Sequence, residues 1–249
     1  MGFIKEFINE LKGIVFVKKC VACMKLLPYD YEGYLCFDCE NEWNDSKFEI
    51  CPTCKNEQIK CNCTRGKQYV DSVRNLAMYT HTEHDSVTNR LIYSMKRSNN
   101  DDVFVFLASE LEKYILPKKP LHNTVVVSVP RIPVSIRRYG YDHANVLAKK
   151  VASILDIAYV DIMRHKGGKV EQKALNSLQR EINARKNCVV REKYIPKIKG
   201  KNILLIDDII TTGAMTGACA ELLKKNGAKR VDCILVAKNR FNQKNYSLY

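Results

Sequence analysis

Residues 203–215 constrain the possible folds of this chain more than any other stretch. Four consecutive apolar residues at 203–206 follow the turn-like residues 199–202. A short apolar run bounded by turn signals is typical of a strand that is buried on both faces. Apolar residues then recur at helical spacing from 216 to 225. The sequence therefore predicts a central strand that passes directly into a helix.

Polar residues suited to ligand binding fill the junction between this strand and this helix. Asp207 and Asp208 are adjacent, and Thr211, Thr212 and Gly213 follow them. Backbone N–H groups at the start of a helix attract anions, and a glycine lets a phosphate approach the backbone closely. Neighbouring carboxylates can hold ribose hydroxyls or Mg²⁺. The junction therefore predicts a site for a phosphorylated sugar together with magnesium.

Cysteine spacing predicts a second kind of site near the start of the chain. Eight of the 11 cysteines form four close pairs, Cys20 and Cys23, Cys36 and Cys39, Cys51 and Cys54, and Cys61 and Cys63. A C-x2-C turn directs two thiolates to one side of a tight knuckle, so two knuckles complete a tetrahedral zinc site. The sequence predicts zinc as one ion or two. Consecutive pairs could share an ion, or alternating pairs could form a cross-brace.

Charge and hydropathy narrow the class of protein. The formal net charge is +14, which favours polyanionic partners such as nucleic acid, a membrane surface or phosphorylated substrates. No apolar run reaches the length of a membrane span, so a membrane-spanning protein is not expected. Residues 1–19 read as an amphipathic helix, since they lack the apolar core of a signal peptide. We therefore expect a cytoplasmic protein whose cysteines bind metal.

The alternation of elements predicts an α/β fold in two parts. Strands are predicted at 69–79, 124–129, 157–160, 188–190, 203–206 and 231–237, and helices at 86–97, 103–115, 144–155, 178–185 and 216–225. This alternation is typical of a doubly wound parallel sheet. The polar residues 64–68 predict a boundary between a cysteine-rich zinc module at 1–66 and the sheet domain at 67–249. Trp43, Phe37 and Phe48 are expected to pack under the knuckles, and the competing interpretation is that they stack bases.

A basic, tyrosine-containing loop follows the predicted strand at 124–129. Arg131, Arg137 and Arg138 lie in it, and Tyr139 and Tyr141 come next. Ligands of parallel sheets bind beyond the carboxyl ends of the strands, so this loop is expected to meet a pyrophosphate or a nucleic-acid backbone. Tyrosine rings accept stacked bases of any sequence. The competing interpretation is a solvated basic loop.

The stretch at 203–215 resembles the phosphoribosyl pyrophosphate (PRPP) signature of type I phosphoribosyltransferases. In that family the acidic pair holds the ribose hydroxyls and the threonine-rich loop holds the 5-phosphate. The resemblance implies that PRPP, with Mg²⁺, binds at Asp207, Asp208, Thr211, Thr212, Gly213, Ala214 and Thr216. Met215 stands where the signature usually has serine or threonine.

A wider resemblance covers essentially the whole chain and points to the ComF family of competence proteins. Its motifs here are Lys96, Val129-Pro130, the Arg-Arg-x-Gly-Tyr run at 137–141, Gln172 and Leu175 with Arg180 and Asn183, and the PRPP-like signature. Residues 139–143 depart from the family's usual Arg-Gly-Phe-Asn-Gln. The resemblance implies a type I phosphoribosyltransferase-like domain behind a zinc finger, in a protein that handles single-stranded DNA during natural transformation. The residues expected to bind nucleic acid are Lys96, Arg131, Arg137, Arg138, Tyr139 and Tyr141.

Three functions compete at this point. The preferred one is DNA handling, with PRPP or a related ribose phosphate as an accompanying ligand. Other DNA-uptake proteins at the inner face of the membrane are further expected partners. The second is a phosphoribosyltransferase that joins PRPP to a base or amine, and the third is a regulator that senses PRPP without turnover. No stretch identifies a nucleobase pocket or a general base, so no catalytic residue is predicted.

Overall fold

The computed structural model describes residues 18–28, 30–61, 63, 69–80, 85–97, 100–115, 121–167 and 177–239. Its strands are β1 (Ser72–Tyr79), β2 (Thr124–Ser128), β3 (Met163–His165), β4 (Cys188–Val190), β5 (Asn202–Ile210) and β6 (Arg230–Asn239). Four of them form a parallel sheet in the order β1-β6-β5-β2. The short strands β3 and β4 form a separate antiparallel pair.

Helices cover both faces of the parallel sheet, as a sheet of this type requires. They are α1 (Phe37–Phe48), α2 (Val87–Arg97), α3 (Asp101–Ile115), α4 (Pro133–Tyr139), α5 (His143–Ile154), α6 (Ser177–Asn187), α7 (Ile195–Ile198) and α8 (Ala214–Lys225). In the part of the chain that the structure describes, none of them is both long and apolar enough to cross a bilayer.

Side chains of β5 alternate between two hydrophobic cores, because successive residues of a strand point to opposite faces. Leu204 and Ile206 pack with α2, α3 and α5 on one face. Ile203 and Leu205 pack with α6 and α8 on the other face. The predicted α/β architecture, with a central strand that is buried on both sides, is confirmed.

The acidic pair lies inside a strand, whereas the sequence predicted it just beyond one. β5 continues through Asp207 and Asp208 to Ile210, and Asp207 and Ile209 remain in register with β6. The turn at Thr211–Gly213 therefore begins four residues later than the apolar run suggested. Backbone pairing with β6 extends the strand past the point where its side chains cease to be apolar.

Two other local predictions need correction. Arg137 and Arg138, expected in a loop, lie in the last turn of α4, which has Pro133 in its first turn and Gly140 at its C-cap with φ of 82°. Proline at a helix start and glycine in the left-handed region at its end are ordinary helix boundaries. The strand predicted at 157–160 is only a single bridge, between Tyr159 and Val126.

The cysteine-rich segment packs directly on the sheet domain. Trp43 of α1 is buried as predicted, and its Nε1 donates to Glu110 Oε2 of α3 at 2.6 Å. The ammonium of Lys47 is buried beside the same carboxylate, 2.5 Å from Oε2. The expectation for the two phenylalanines is wrong, since Phe37 is 76% exposed and Phe48 is also exposed.

The proposed division into two parts keeps its status as a prediction. Residues 1–17, which include most of the predicted amphipathic helix, and the predicted linker at 64–68 lie outside the described residues. In the described residues one continuous hydrophobic core joins Val21 and Trp43 to Leu91 and Phe104. Contacts therefore cross between the cysteine-rich segment and the sheet domain through a shared interior.

Candidate functional site

Two turns with matching hydrogen bonds present the cysteine pairs that begin at Cys20 and Cys51. The Cys20 N–H donates to the carbonyl of Lys25 at 2.8 Å, and the Met24 N–H donates back to the Cys20 carbonyl at 2.9 Å. Both bonds recur, at the same lengths, at the equivalent positions after Cys51. Met24 and Lys55 occupy equivalent places, with φ of 64° and 60°. The chain thus builds the same knuckle twice.

Each knuckle combines with the next cysteine pair into a group of four thiols. The groups are Cys20, Cys23, Cys36 and Cys39, and Cys51, Cys54, Cys61 and Cys63, and within each group all the sulfurs lie within 4.8 Å of one another. Cys23 Sγ is 3.7 Å from Cys36 Sγ, and Cys54 Sγ is 3.6 Å from Cys61 Sγ. Tetrahedral zinc with bonds of about 2.3 Å separates its sulfurs by about 3.8 Å. Both groups could hold a metal ion, and consecutive pairs share each site, which excludes the cross-brace.

Each cysteine group receives a cation from the sheet domain. The Lys238 ammonium of β6 lies 3.0 Å from Cys61 Sγ and 3.5 Å from Cys51 Sγ. Arg90 of α2 donates to Cys39 Sγ at 3.5 Å. Lys238 is only 2% exposed, and although burial lowers the pKa of its ammonium, the cysteine thiols outweigh that effect and raise it. Four thiolates around a divalent metal carry a net charge of −2, so these cations offset part of a buried negative charge.

The acidic pair lies in the carboxyl-terminal half of β5, buried and surrounded by cations. Asp207 is 7% exposed and Asp208 is 1% exposed. Arg131, which follows β2, donates to Asp207 Oδ1 at 2.9 Å and also to Asp208. The ammonium of Lys96, near the end of α2, is 3.2 Å from Asp208 Oδ2. His143 Nε2, in the first turn of α5, lies 3.1 Å from the same oxygen.

These surroundings give the two carboxyl groups opposite acidities. Burial raises the pKa of Asp207 to about 8, with the negative charge of Asp208 adding to the effect and Arg131 opposing it. Burial also acts to raise the pKa of Asp208, but Arg131 and Lys96 outweigh it and hold that pKa well below its ordinary value. Near neutral pH, Asp208 therefore carries the negative charge and Asp207 holds a proton.

The turn after β5 forms a pocket of about 470 Å³ with one edge of α6. Its lining includes Asp207, Thr211, Thr212, Gly213, Ala214 and Thr216, and also Arg180 and Asn183 of α6. Gly213 is the N-cap of α8 with φ of 78°, so backbone N–H groups of the first helical turn are available beside the pocket. Thr212 Oγ1 accepts from the Ala214 N–H at 3.4 Å.

Six of the seven residues expected to bind PRPP therefore share one pocket. Asp208 is the exception, because its carboxylate faces Lys96 and His143 instead. Thr216 lines the pocket but is buried, and its hydroxyl contacts the Cys233 thiol. Sequence reasoning assigned no role to Arg180, Asn183 or His143. Arg180 and Asn183 belong to one of the motifs that carry the resemblance to the ComF family, so the sequence did contain a signal for them.

The residues expected to bind nucleic acid separate into two groups. Lys96 and Arg131 face the acidic pair, whereas Arg137 and Arg138 are exposed and form no ion pair with any described residue. Tyr139 lies edge-on to His143, with ring centroids 6.0 Å apart.

Tyr141 has a structural role that its sequence position did not predict. Its hydroxyl donates to the Met95 carbonyl, and its ring packs edge-on against Phe104 with the centroids 6.1 Å apart. Burial raises the pKa of its phenol. The ring of Tyr141 is therefore committed to the core that joins α2 to α3.

The contact between Lys238 and the second cysteine group generates a prediction about metal affinity. We expect Lys238→Met to weaken metal binding at that group by about 10- to 100-fold, the usual effect of losing a hydrogen bond to a metal ligand. Competition with a chromogenic chelator would measure it, and the first cysteine group should keep its affinity. Lys225→Met, at an exposed lysine of α8, serves as the control. Equal affinities in the two variants would contradict the prediction.

The opposite acidities of the acidic pair predict opposite effects of two isosteric variants. Because the pKa of Asp207 rises from 3.8 to about 8 on folding, the folded state holds a proton that the unfolded state releases. This group therefore lowers the free energy of unfolding as pH rises through that window. We expect Asp207→Asn to be more stable than the wild type by about 1–4 kcal/mol near pH 8, with a smaller gain towards pH 4.

Asp208 has the opposite sign. Its depressed pKa contributes stability above 3.8, and that contribution is lost as pH falls. Asp208→Asn leaves Lys96 without its carboxylate partner and Arg131 with Asp207 alone, so we expect a loss of about 3–5 kcal/mol at neutral pH. Urea unfolding of both variants at several pH values measures these changes. Destabilisation of equal size in the two variants would refute the assigned acidities.

Comparison with known proteins identifies the domain that contains the acidic pair. Residues 107–246, more than half of the chain, match the family model of the phosphoribosyl transferase domain. The chain is 29% identical over 235 residues to competence protein ComFC of Streptococcus pneumoniae, and the match spans 86% of this chain and 96% of that protein. It is 24% identical over 225 residues to competence protein F of Haemophilus influenzae, which covers 86% and 93%.

A third similarity is local. Over 34 residues the chain is 56% identical to ribose-phosphate pyrophosphokinase of Thermococcus kodakarensis, covering 14% of this chain and 12% of that protein. The two competence relatives, by contrast, are matched over nearly their full lengths. Taken with the family model, these matches establish that the chain belongs to the ComF family and contains a phosphoribosyltransferase-like domain.

Proposed function

We propose that this protein handles single-stranded DNA during uptake in natural transformation, and that the pocket after β5 binds PRPP or a related ribose phosphate. The observation that carries the proposal is helix α4. It follows the carboxyl end of β2, near the acidic pair, and presents Arg137 and Arg138 to solvent without an ion pair among the described residues. The competence proteins that match the chain over most of its length support a role in competence.

The electrostatic argument concerns phosphate contacts. Arginines that have no carboxylate partner are available to neutralise phosphates, and the net charge of +14 favours the approach of a polyanion. A single strand bound in this way is gripped without regard to its sequence, because phosphates are common to every nucleotide. We place this activity in the cytoplasm, with other DNA-uptake proteins at the inner face of the membrane as partners.

For the cysteine groups we propose one zinc ion each. Four thiolates leave zinc no open position, so both ions have structural roles. They fix the knuckles against α1 and β6, and metal binding supplies folding energy to a segment with few apolar residues of its own.

For the ribose phosphate we propose that the 5-phosphate binds the N–H groups around Gly213 and the hydroxyls of Thr211 and Thr212. The first turn of α8 supports an anion there. The ribose hydroxyls and Mg²⁺ would meet Asp207, which must give up its proton for the metal to bind. Binding should therefore release protons near neutral pH.

A second candidate function is phosphoribosyl transfer from PRPP to a base or amine. One observation favours it specifically, the raised pKa of Asp207 in the wall of the pocket, since strongly perturbed carboxyl groups are common in active sites. Release of pyrophosphate from PRPP in the presence of candidate acceptors would separate this function from binding alone.

The DNA proposal predicts how binding responds to salt. On single strands the logarithm of the affinity falls with the logarithm of salt concentration by about 0.7 per phosphate contact. Arg137→Ala combined with Arg138→Ala should therefore reduce the slope by about 1.4. Fluorescence anisotropy with an unstructured oligonucleotide at several salt concentrations measures it.

The matched control is Lys193→Ala with Lys197→Ala, which removes two exposed cations that lie over Tyr194. That control should leave the slope unchanged. Absence of wild-type binding at low salt would exclude DNA handling by this chain alone and would move the transferase ahead.

The ribose-phosphate proposal predicts a magnesium-dependent ligand. Calorimetry should detect PRPP binding with Mg²⁺ in the wild type and lose it in Asp207→Asn, a variant that we expect to be well folded. Met215 lies where the signature has a hydroxyl, so Met215→Thr should tighten binding. Undiminished PRPP binding by Asp207→Asn would exclude Asp207 as a ligand of ribose or metal.

A further inference from the structure

A second pocket, of about 350 Å³, lies between the cysteine-rich segment and α3. Its walls come from residues 31–35, from α1 and from α3. Five aromatic residues contribute to it, and they are Tyr31, Tyr34, Trp43, Phe106 and Tyr114. A pocket of this size, with several aromatic residues in its walls, is within the range of sites that take small organic groups.

The aromatic rings of this pocket are arranged around a buried tryptophan. Trp43 is almost completely buried, and its ring centroid lies 6.1 Å from that of Phe106. Phe106 in turn lies 6.0 Å from Tyr34. Tyr31, Tyr34, Phe106 and Tyr114 are all only partly buried, so each of these residues keeps some exposed surface.

The charges that line the pocket cancel one another. Glu40 and Glu110 contribute two negative charges, and Lys47 and Lys113 contribute two positive ones. Lys47 is sealed into an ion pair with Glu110 and lies 4.0 Å from the centroid of the Tyr114 ring. A neutral aromatic lining favours a neutral planar group over a free ion, because an ion would lose hydration without gaining a counter-charge.

Polar groups and cations complete the surroundings. Asn44 and Ser109 offer hydrogen-bond donors and acceptors within the pocket. Two ammonium groups lie over ring faces, Lys18 at 5.1 Å from the Tyr34 centroid and Lys113 at 5.1 Å from the Tyr114 centroid. Neutral edges that hydrogen-bond, stacked faces and adjacent cations are the features that recognise a nucleobase on a phosphate backbone.

We propose that this pocket binds an unpaired nucleobase of single-stranded DNA. The proposal rests on the proposed DNA-handling function and gives it a stacking site. It also accounts for a gap in that function, since Tyr141 beside α4 packs against Phe104 and donates to Met95. Helix α4 then supplies contacts to phosphates, and the aromatic pocket supplies contacts to a base.

Trp43 makes this proposal directly testable, because it is the only tryptophan in the chain. Its emission therefore reports on this pocket alone. A short oligothymidylate should change the emission of the wild-type protein. An abasic deoxyribose-phosphate oligomer of the same length and charge should leave it unchanged and should bind more weakly.

Two variants test the rings, and matched controls test specificity. Tyr34→Leu and Tyr114→Leu should each weaken oligonucleotide binding by at least about fivefold, the low end of what one stacked base contributes, with an unchanged salt slope. Tyr34→Phe and Tyr114→Phe keep the ring and should bind as the wild type does. Tyr194→Leu removes a half-buried tyrosine ring that packs with the other core, and it should have no effect.

The outcomes separate this proposal from the function on which it rests. If the wild type binds the oligonucleotide but both leucine variants bind equally well, the pocket is overturned and DNA handling stands. Equal binding of abasic and base-bearing oligomers would likewise overturn the pocket and leave DNA handling standing. If the wild type binds no single strand at low salt, DNA handling fails and the pocket proposal fails with it. Should one leucine variant not fold, the other variant and the Trp43 emission decide the matter.

Discussion

The buried charge of Asp208 determines how the elements meet at the carboxyl edge of the sheet. Removing a carboxylate from water costs several kcal/mol unless cations and hydrogen-bond donors replace the water. Here the replacements come from three separate places, Arg131 after β2, Lys96 of α2 and His143 of α5. Compensation of this charge therefore requires the ends of two helices and one loop to contact a single strand. Asp207, with one shared cation, is left incompletely compensated, and that imbalance is what makes the site chemically distinctive.

Much of this arrangement could be predicted because it depends on residues that are close together in the sequence. The apolar run at 203–206 identified the central strand, and the spacing of the cysteines identified the four pairs, although it left open how the pairs combine. The positions of the arginines could not be interpreted in the same way. Arg131 and Arg138 lie seven residues apart on the same basic stretch, yet one is paired with buried carboxylates and the other faces solvent.

Local patterns carry no signal where the deciding partner is distant in sequence. Lys238 donates to Cys61 across 177 positions, and no local pattern announces that contact. Tyr141 looked like a stacking residue because tyrosine beside arginine is typical of nucleic-acid surfaces. In the structure its hydroxyl donates to the carbonyl of Met95, 46 positions away. Only the tertiary structure distinguishes a ring that supports the core from a ring that is open to a ligand.

In the described residues, side-chain contacts connect both thiol groups to the sheet domain. Arg90 links the first group to α2 and Lys238 links the second to β6, while Trp43 and Lys47 converge on Glu110 of α3. Loss of metal would consequently disturb the aromatic pocket as well as the knuckles, because α1 contributes to both. This coupling gives the small cysteine-rich segment an influence on a surface that it only partly forms.

The strand order β1-β6-β5-β2 carries a consequence for biosynthesis. Among the described residues, β1 is hydrogen-bonded only to β6, the last strand that they contain. A nascent polypeptide emerging from the ribosome has its first strand and its cysteine knuckles exposed to solvent long before their partner exists. The first thiols are therefore synthesised while the sheet is still open, and Lys238 can reach Cys61 only after most of the chain has been made.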